Sequence, residues 1–290
     1  MKEIVIVSGK GGTGKTVIAG SFAVLAKNKV MGDCDVDASN LYLLLHPQVK
    51  EKHDFYAGVI PEIDLTKCNQ CGLCEELCRY DAITVSQDGA FVDYISCEGC
   101  GLCGLACPEK AIEMKENLCG EWYISETQYG PLVYARLGIA EENSGILVTT
   151  VRKNARIIAE NRNLDLIIID GPPGIGCPLI ASITGANLVV VVTEPTLSGI
   201  HDLERVIEVS QHFNVEPVVI INKFDINLEN TSRIEEFCKE NSISVIGRIH
   251  FDNIITEALV KGLPVVEYSD NKVVTQEIKD IWQEIFKKIQ

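Results

Sequence analysis

The chain has 290 residues, of which 46% are hydrophobic and 23% are charged. This composition can form a hydrophobic core and excludes a largely disordered chain. The 41 acidic residues outnumber the 26 basic ones and give a formal net charge of −15, which disfavours non-specific binding of nucleic acid and suits docking on basic surfaces of partner proteins.

The first residues, MKEIVIV, form an apolar run that is too short for a signal peptide, and no segment has the length of a membrane span. We therefore expect a cytoplasmic protein that does not bind a membrane. In that compartment the 12 cysteines are expected to bind metal rather than to form disulfides.

Short segments rich in β-branched residues alternate with helical patterns along most of the chain. Strands are predicted at 2–7, 29–34, 164–169, 187–193 and 215–222, and helices at 16–27, 144–162, 201–212 and 230–241. This alternation predicts a doubly wound α/β fold with a mostly parallel sheet.

The segment GKGGTGKT at 9–16 matches the phosphate-binding pattern G-x-x-x-x-G-K-[ST] between a predicted strand and a predicted helix. In this context backbone amides and the helix N-terminus bind phosphates. Lys15 is expected to contact the β- and γ-phosphates, and the Thr16 hydroxyl is expected to bind Mg²⁺. The predicted nucleotide-binding residues of this loop are Gly9, Lys10, Gly11, Gly12, Thr13, Gly14, Lys15 and Thr16.

Two copies of a four-cysteine run interrupt the α/β pattern between 60 and 115. Their C-x2-C-x2-C-x3-C spacing is that of bacterial two-cluster ferredoxins, in which the fourth cysteine of each run binds the other cluster. One [4Fe–4S] cluster is therefore expected on Cys68, Cys71, Cys74 and Cys107, and a second on Cys78, Cys97, Cys100 and Cys103. The alternative is a pair of structural zinc sites, which this spacing would crowd.

These patterns together predict two domains. A nucleotide-binding α/β domain is discontinuous, at 1–59 and 116–290, and a small α+β ferredoxin domain is inserted at 60–115. Four cysteines lie outside the runs. Cys34 and Cys238 occupy apolar positions and are expected in the core, whereas Cys119 and Cys177 are either structural residues or ligands of a further cluster shared by two copies of the chain.

Lys10 narrows the class of phosphate loop, because KGGTGKT resembles the deviant Walker A motif of the MinD/Mrp/ParA ATPases, which include the nitrogenase iron protein. The segment DCDVD at 33–37 resembles the first switch of this family, DGPPG at 170–174 its Walker B motif and second switch, and NKFD at 222–225 its base-recognition segment. The stretch GLPV at 262–265 resembles the segment near the adenine. With the cysteine runs, the chain resembles MinD-superfamily ATPases that carry an inserted ferredoxin domain, and the segments at 120–122, 129–131, 141–145, 176–178 and 193–195 agree.

This resemblance implies an ATPase that dimerises in an ATP-dependent manner, as a homodimer or as a heterodimer with a related ATPase. Lys10 of one subunit would contact the phosphates held by the other, and Asp35 would position the attacking water. The implied catalytic residues are thus Lys10, Lys15 and Asp35.

The resemblance also implies roles around the nucleotide. Asp170 would support Mg²⁺ together with Thr16, and Asn222 and Asp225 would bind the base. The implied switch residues are Asp35, Asn40, Asp170 and Gly174. Two alternatives remain open, since Asp33 can be a solvated residue at a strand end and Asp225 can cap a loop.

The apolar residues at 278–289 have helical spacing, and some MinD proteins end in a membrane-seeking helix. The polar face here mixes acidic and basic residues, whereas membrane anchors prefer a basic face. A final helix packed on the sheet is therefore predicted.

Three functions fit these motifs. The first, which we favour, is an ATPase that couples an ATP-driven dimer switch to electron transfer through two [4Fe–4S] clusters to a redox partner protein, with slow hydrolysis stimulated by the partner or by reduction, for example in metallocofactor maturation. The second is an iron–sulfur carrier or scaffold like Mrp, which the absence of a further Cys-x-x-Cys pair outside the runs disfavours. The third is a MinD-like spatial regulator with a redox-sensing insert.

Overall fold

A computed structural model describes residues 1–138, 141, 144–270 and 272–290, and these residues separate into two compact units. The first unit comprises Met1–His53, Trp122–Arg136 and Ser144–Gln290. The second comprises Asp54–Glu121 and the described residues of Leu137–Asn143. The second unit contains the predicted insertion at 60–115 and extends several residues beyond it on both sides. Its assignment to a ferredoxin domain stays a prediction.

Regular structure begins with a strand and continues through alternating elements. The strands are β1 Lys2–Ser8, β2 Lys29–Asp33, β3 Gln48–Ile63, β4 Ile83–Ser86, β5 Gly89–Val92, β6 Ile112–Thr127, β7 Gly130–Leu137, β8 Leu166–Pro173, β9 Leu188–Thr193, β10 Pro217–Asn222 and β11 Ser244–Ile249. The α-helices are α1 Lys15–Leu25, α2 Leu41–Leu45, α3 Leu73–Glu76, α4 Leu102–Ala106, α5 Ser144–Arg162, α6 Cys177–Ile183, α7 Leu197–His212, α8 Leu228–Glu240, α9 Asn253–Val260, α10 Val265–Tyr268 and α11 Val273–Ile289.

Nine strands form one sheet in the order β11-β10-β9-β1-β8-β2-β7-β6-β3. The pairs from β11 to β7 are parallel, so the predicted α/β fold with a mostly parallel sheet is confirmed. The central strands β1, β8 and β9 contain continuous runs of buried Val, Ile and Leu, as expected where helices cover both faces of a sheet. Because parallel strands end at one edge, the carboxyl ends of β1, β8 and β9 lie at the same edge of the sheet, where the chain leaves β1 for α1.

The C-terminal helix α11 packs into the core of the first unit, as predicted. Its residues Ile278, Ile281 and Ile285 are buried in the main hydrophobic cluster, and the Trp282 ring lies 5.0 Å from that of Phe22 on α1. Within the described ranges, no helix is both long enough and apolar enough to cross a membrane.

The second unit repeats one local structure around its two cysteine runs. The Asp64 N–H donates to the Ala111 carbonyl at 2.7 Å, and the Asp93 N–H donates to the Ala82 carbonyl at 2.8 Å. The two bonds are equivalent in the repeat, because Asp64 and Asp93 are separated by the same number of residues as Cys68 and Cys97, and so are Ala82 and Ala111. The short helices α3 and α4 each follow a left-handed glycine, and β4 and β5 form an antiparallel pair.

Candidate functional site

The phosphate loop connects β1 to α1, as the sequence predicts. Gly14 has a φ of 97°, and a Cβ atom there would lie 2.5 Å from Asn222 Nδ2. A Cβ atom on Gly9 would lie 2.2 Å from the Cβ of Asp202. The loop therefore requires glycine at both positions, and it presents its backbone N–H groups ahead of the first turn of α1, where anions bind.

Lys15 and Asp35 face each other beside this loop. The Lys15 Nζ lies 3.9 Å from Asp35 Oδ2, and both side chains are largely buried. Burial raises the pKa of Asp35, and the Lys15 charge opposes that shift. The structure thus brings together two of the three residues expected to be catalytic.

Asp33 is buried, so its reading as a solvated residue at a strand end is wrong. Its carboxylate accepts hydrogen bonds from the Ser39 hydroxyl at 2.7 Å and from the N–H groups of Asp35 and Leu41 at 3.1 and 3.2 Å. Burial raises its pKa to about 6. Asp33 therefore holds the segment from β2 to α2 in place from inside the fold.

Asp170 at the edge of the sheet is buried, and neither of its carboxylate oxygens accepts a well-formed hydrogen bond from the described residues. Burial raises its pKa well above its usual range, the Asp33 charge adds to that shift, and Lys15 and the Thr16 hydroxyl oppose it. Carboxylate and hydroxyl oxygens are ligands that Mg²⁺ takes in proteins. An unpaired buried carboxylate next to Thr16 thus has the chemistry of a cation site.

The segment after β10 contacts the phosphate loop through two residues. Asn222 Nδ2 donates to the Thr13 carbonyl at 2.8 Å, and Lys223 Nζ lies 3.3 Å from the Gly12 carbonyl. Asp225 is exposed, and its Oδ1 accepts the Phe251 N–H at 2.8 Å. One Asp225 oxygen thus holds the loop after β11, and the base-binding role of Asn222 and Asp225 stays a prediction.

The two remaining switch residues lie at element ends. Asn40 is exposed and directly precedes α2. Gly174 has a φ of 88°, and its N–H donates to the Ser8 carbonyl at 2.9 Å, so the chain after β8 turns back onto the start of the phosphate loop.

Sequence reasoning missed the role of Glu194, which directly follows β9. Its Oε1 lies 2.6 Å from Lys10 Nζ and its Oε2 lies 3.0 Å from Lys223 Nζ. The available signal was its position: β9 is predicted to end at Thr193, and a residue after a parallel strand lies at the edge that carries the phosphate loop.

The eight cysteines of the two runs line two cavities in the second unit. The cysteines of one cavity are Cys68, Cys71, Cys74 and Cys107, and those of the other are Cys74, Cys78, Cys97, Cys100 and Cys103. In the part of the chain that the structure describes, no three His, Cys, Asp or Glu side chains gather as ligands of one metal ion. Each predicted set of four cysteines therefore lines one cavity, and the described side chains do not gather around the position of one metal ion.

Backbone N–H groups point at several of these sulfurs. The N–H of Ala82 lies 3.4 Å from Cys78 Sγ, and that of Ala111 lies 3.3 Å from Cys107 Sγ. The two bonds are equivalent in the repeat, and both reach the fourth cysteine of a run. Such N–H groups stabilise negative charge on sulfur.

The other four cysteines fall into two environments. Cys34, Cys119 and Cys238 are buried and Cys177 is exposed at the start of α6. The burial of Cys34 and Cys238 is as predicted. The Cys119 thiol donates to the Ala57 carbonyl at 3.0 Å, and burial raises its pKa to about 11.

The phosphate loop between β1 and α1, on a large and mostly parallel sheet, defines a P-loop nucleotide-binding protein. The chain belongs to the family described as "CobQ/CobB/MinD/ParA nucleotide binding domain" (CbiA), which it matches over residues 4–265.

Several relatives match across most of the chain. It is 35% identical over 288 residues to an uncharacterized protein of Methanocaldococcus jannaschii, covering 98% of this chain and 96% of the relative. It is 24% identical to the septum site-determining protein MinD of Bacillus subtilis, covering 93% and 84%. A third relative, an iron-sulfur cluster carrier protein of M. jannaschii, is 27% identical but matches only 44% of this chain and 48% of its own length.

Solved structures share the fold. The cell division ATPase MinD of Pyrococcus furiosus superposes with a TM-score of 0.59 at 20% identity, covering 99% of this chain and 98% of its own. MinD of Pyrococcus horikoshii, solved with Mg-ADP, has the same TM-score at 18% identity and covers 98% and 95%. At these identities the likeness concerns the fold.

Proposed function

We propose that this protein is an ATPase in which ATP binding closes a dimer and hydrolysis gates electron transfer through two [4Fe–4S] clusters to a redox partner protein. The observation that carries the proposal is that the chain holds two kinds of site in two separate units. The phosphate loop Gly9–Thr16 lies in the first unit, and all eight cysteines of the two runs lie in the second. The strands β3 and β6 contribute residues to both units. The chain therefore passes between the two kinds of site through regular β structure.

The nucleotide would be ATP with Mg²⁺, bound by the phosphate loop. Lys15 would contact the phosphates, and Thr16 and Asp170 would support the cation. The unpaired, buried carboxylate of Asp170 supports this assignment, since a bound cation removes the cost of leaving it unpaired. Membership of the MinD/ParA family supports ATP as the nucleotide.

The hydrolytic step would need a water positioned by Asp35 and the charge of Lys10 from the partner subunit, and Asn222 and Asp225 would contact the base. The hydrogen bonds that the buried Asp33 carboxylate accepts from the segment containing Asp35 would keep Asp35 beside the phosphate loop. We expect slow hydrolysis that a partner or the redox state stimulates. The dimer would form from two copies of this chain or with a related ATPase.

The cysteine content of the two cavities suits a pair of [4Fe–4S] clusters, which would supply one-electron transfer when bound. Cys107 lines the cavity of the first run, and Cys78 lines the cavity of the second. This exchange of the fourth cysteines supports the crossed ligand sets: Cys68, Cys71, Cys74 and Cys107 for one cluster, and Cys78, Cys97, Cys100 and Cys103 for the other. A cubane takes one thiolate on each of four irons, so its ligands need not meet at a single ion.

Two other functions have support of their own. A partial relative that is an iron-sulfur cluster carrier favours a role in cluster transfer. Similarity to MinD over 93% of this chain favours a spatial regulator whose second unit senses redox state. A carrier would lose its clusters to an acceptor protein, whereas an electron-transfer protein keeps them through turnover.

Metal analysis of protein made without oxygen tests the cluster assignment. We expect about eight irons and about eight acid-labile sulfides per chain. Zinc without sulfide would contradict the proposal and support structural zinc sites. The matched control is Cys238→Ala, which removes a buried cysteine of the first unit and should retain the full iron content.

Single cysteine variants then test the crossed sets. Cys68→Ala and Cys107→Ala should leave the same surviving cluster, and Cys78→Ala and Cys97→Ala should leave the other one. Electron paramagnetic resonance of the reduced variants distinguishes the two. If Cys107→Ala instead matched Cys97→Ala, the crossed assignment would be wrong.

A further inference from the structure

Lys10 contacts three side chains of its own subunit. Its Nζ lies 2.6 Å from Glu194 Oε1, 3.0 Å from Thr196 Oγ1 and 3.1 Å from Ser198 Oγ. Glu194 and Thr196 belong to the segment that joins β9 to α7, and Ser198 lies in the first turn of α7. The ammonium group thus has a charged partner and two hydroxyl partners, which satisfy its three donors.

Glu194 is largely buried and is paired with two lysines. Its side chain is only 13% exposed, and it lies between Lys10 and Lys223, which itself contacts the Gly12 carbonyl. Burial would raise the pKa of Glu194, but hydrogen bonds from Lys10 and Lys223 hold it below its usual range. The carboxylate is therefore charged at neutral pH, and a charged pair in this partly buried position is stronger than one on the open surface.

We propose that Glu194 is a positioning residue that stores Lys10 within its own subunit, and that the break of the Lys10–Glu194 ion pair is a step in closing the dimer. The inference rests on the proposed dimer switch, in which Lys10 must contact phosphates held by the partner subunit. One ammonium group cannot hold its intramolecular partners and reach another subunit at once. The phosphates of a bound nucleotide compete with Glu194 for the same charge.

Glu194→Gln tests this storage role, since the amide keeps the size of the side chain and removes its charge. The full-length protein, purified without oxygen, is titrated with a slowly hydrolysed ATP analogue and Mg²⁺, and dimer formation is followed by light scattering over a range of protein concentrations. We expect half-maximal dimerisation at a protein concentration roughly fivefold lower than for the unmodified chain. A purely structural role for Glu194 predicts the opposite, a weaker dimer.

Two further variants isolate the contact. Glu208→Gln makes the same charge change at an exposed position of α7 and should leave dimerisation unaltered. Lys10→Ala alone should lose ATP-driven dimerisation, and adding Glu194→Gln should not restore it, because the ammonium group that the substitution would release is absent. A gain that persisted without Lys10 would overturn the proposal and assign the effect to surface charge.

The outcomes separate this inference from the proposed function. If the unmodified chain forms no dimer with the analogue, the dimer switch itself fails, and the storage role fails with it. If the unmodified chain dimerises and Glu194→Gln does so at the same or a higher concentration, only the storage role is overturned.

Discussion

The side-chain amide of Asn222 binds the phosphate loop directly, because its Nδ2 donates to the Thr13 carbonyl at 2.8 Å. The same amide packs so closely against Gly14 that a Cβ atom there would lie 2.5 Å from Nδ2. The end of β10 thereby fixes a loop that follows β1, although the two residues are far apart in sequence. The affinity of the loop for a ligand should therefore depend on Asn222 at the end of β10.

Asn222→Ala should weaken nucleotide binding by about tenfold, because the Thr13 carbonyl loses a buried donor worth on the order of 1–2 kcal/mol. Equilibrium binding of a fluorescent ATP analogue measures this loss. Asn241→Ala is the matched control, since it removes an exposed amide that donates to the Phe237 carbonyl at the end of α8. Equal effects of the two substitutions would refute the role of Asn222.

The two lysines of the phosphate loop should differ in what they support. Lys15→Ala should abolish ATP binding, because it removes the charge that meets the β- and γ-phosphates. Lys10→Ala should retain most of the binding but lose hydrolysis and ATP-driven dimerisation, because Lys10 acts on the partner's nucleotide. Binding, phosphate release and light scattering are measured on each variant. Normal dimerisation and hydrolysis by Lys10→Ala would contradict the deviant Walker A assignment.

The sequence predicted the parts of the fold that depend on buried, periodic apolar residues. The bounds of α5, Ser144–Arg162, are those predicted, and β9 begins one residue from its predicted start. The helix α7 begins at Leu197, earlier than the predicted 201, because Thr196 caps it by accepting the Gly199 N–H at 3.0 Å. In the sequence alone, a Thr three residues before a glycine only weakly indicates the start of a helix.

The strands β3 and β6 could not be predicted in this way. Most side chains of β3 are exposed, and its first half contains several charged residues, so the alternation that marks a half-buried strand is missing. For the site, local motifs predicted the phosphate loop and the cysteine sets, because each is compact in sequence. The contacts of Glu194 with Lys10 and Lys223 depend on which strand ends meet, and that follows from the order of strands in the sheet. The Asp33 contacts are local, but no motif marks which side chain of the segment turns inward.

The ion pairs of Glu3 on β1 should contribute more to the stability of the fold than most other ion pairs of the described residues. Its buried carboxylate lies 2.6 Å from Arg152 and 2.5 Å from Arg156 on α5. Glu3→Gln leaves the largely buried Arg152 guanidinium without its counter-charge and should cost about 3 kcal/mol of unfolding free energy. Urea denaturation measures this cost. Glu229→Gln, which breaks the exposed pair with Arg233, should cost less than about 0.5 kcal/mol.

Lys29 should make stability depend on pH. Burial lowers the pKa of Lys29 from its usual value of 10.5 to about 8. Between these values the unfolded chain binds one more proton than the folded chain. The unfolding free energy therefore rises as pH rises from 8 to 10.5, and this gain is lost as pH falls from 10.5 to about 8.

Lys29→Met should remove this dependence. The unfolding free energy of the unmodified chain minus that of the variant should increase by on the order of 2–3 kcal/mol across this pH range. Denaturation of both proteins at several pH values tests it. Lys27→Met, at an exposed position, should leave the difference flat. A flat difference for Lys29→Met as well would contradict the burial effect.

Redox titration with and without Mg-ATP measures the coupling between the two kinds of site. If ATP binding shifts a cluster potential, linkage requires that cluster reduction change the ATP affinity by the same free energy. The account predicts a shift in the midpoint potential of at least one cluster of roughly 40–130 mV, which corresponds to a coupling of about 1–3 kcal/mol for one electron. Lys15→Ala should show no shift, and ATP affinity should differ between reduced and oxidised protein by the matching factor. Identical potentials and identical ATP affinities in both states would rule out ATP-gated electron transfer and leave a carrier or a spatial regulator as the function.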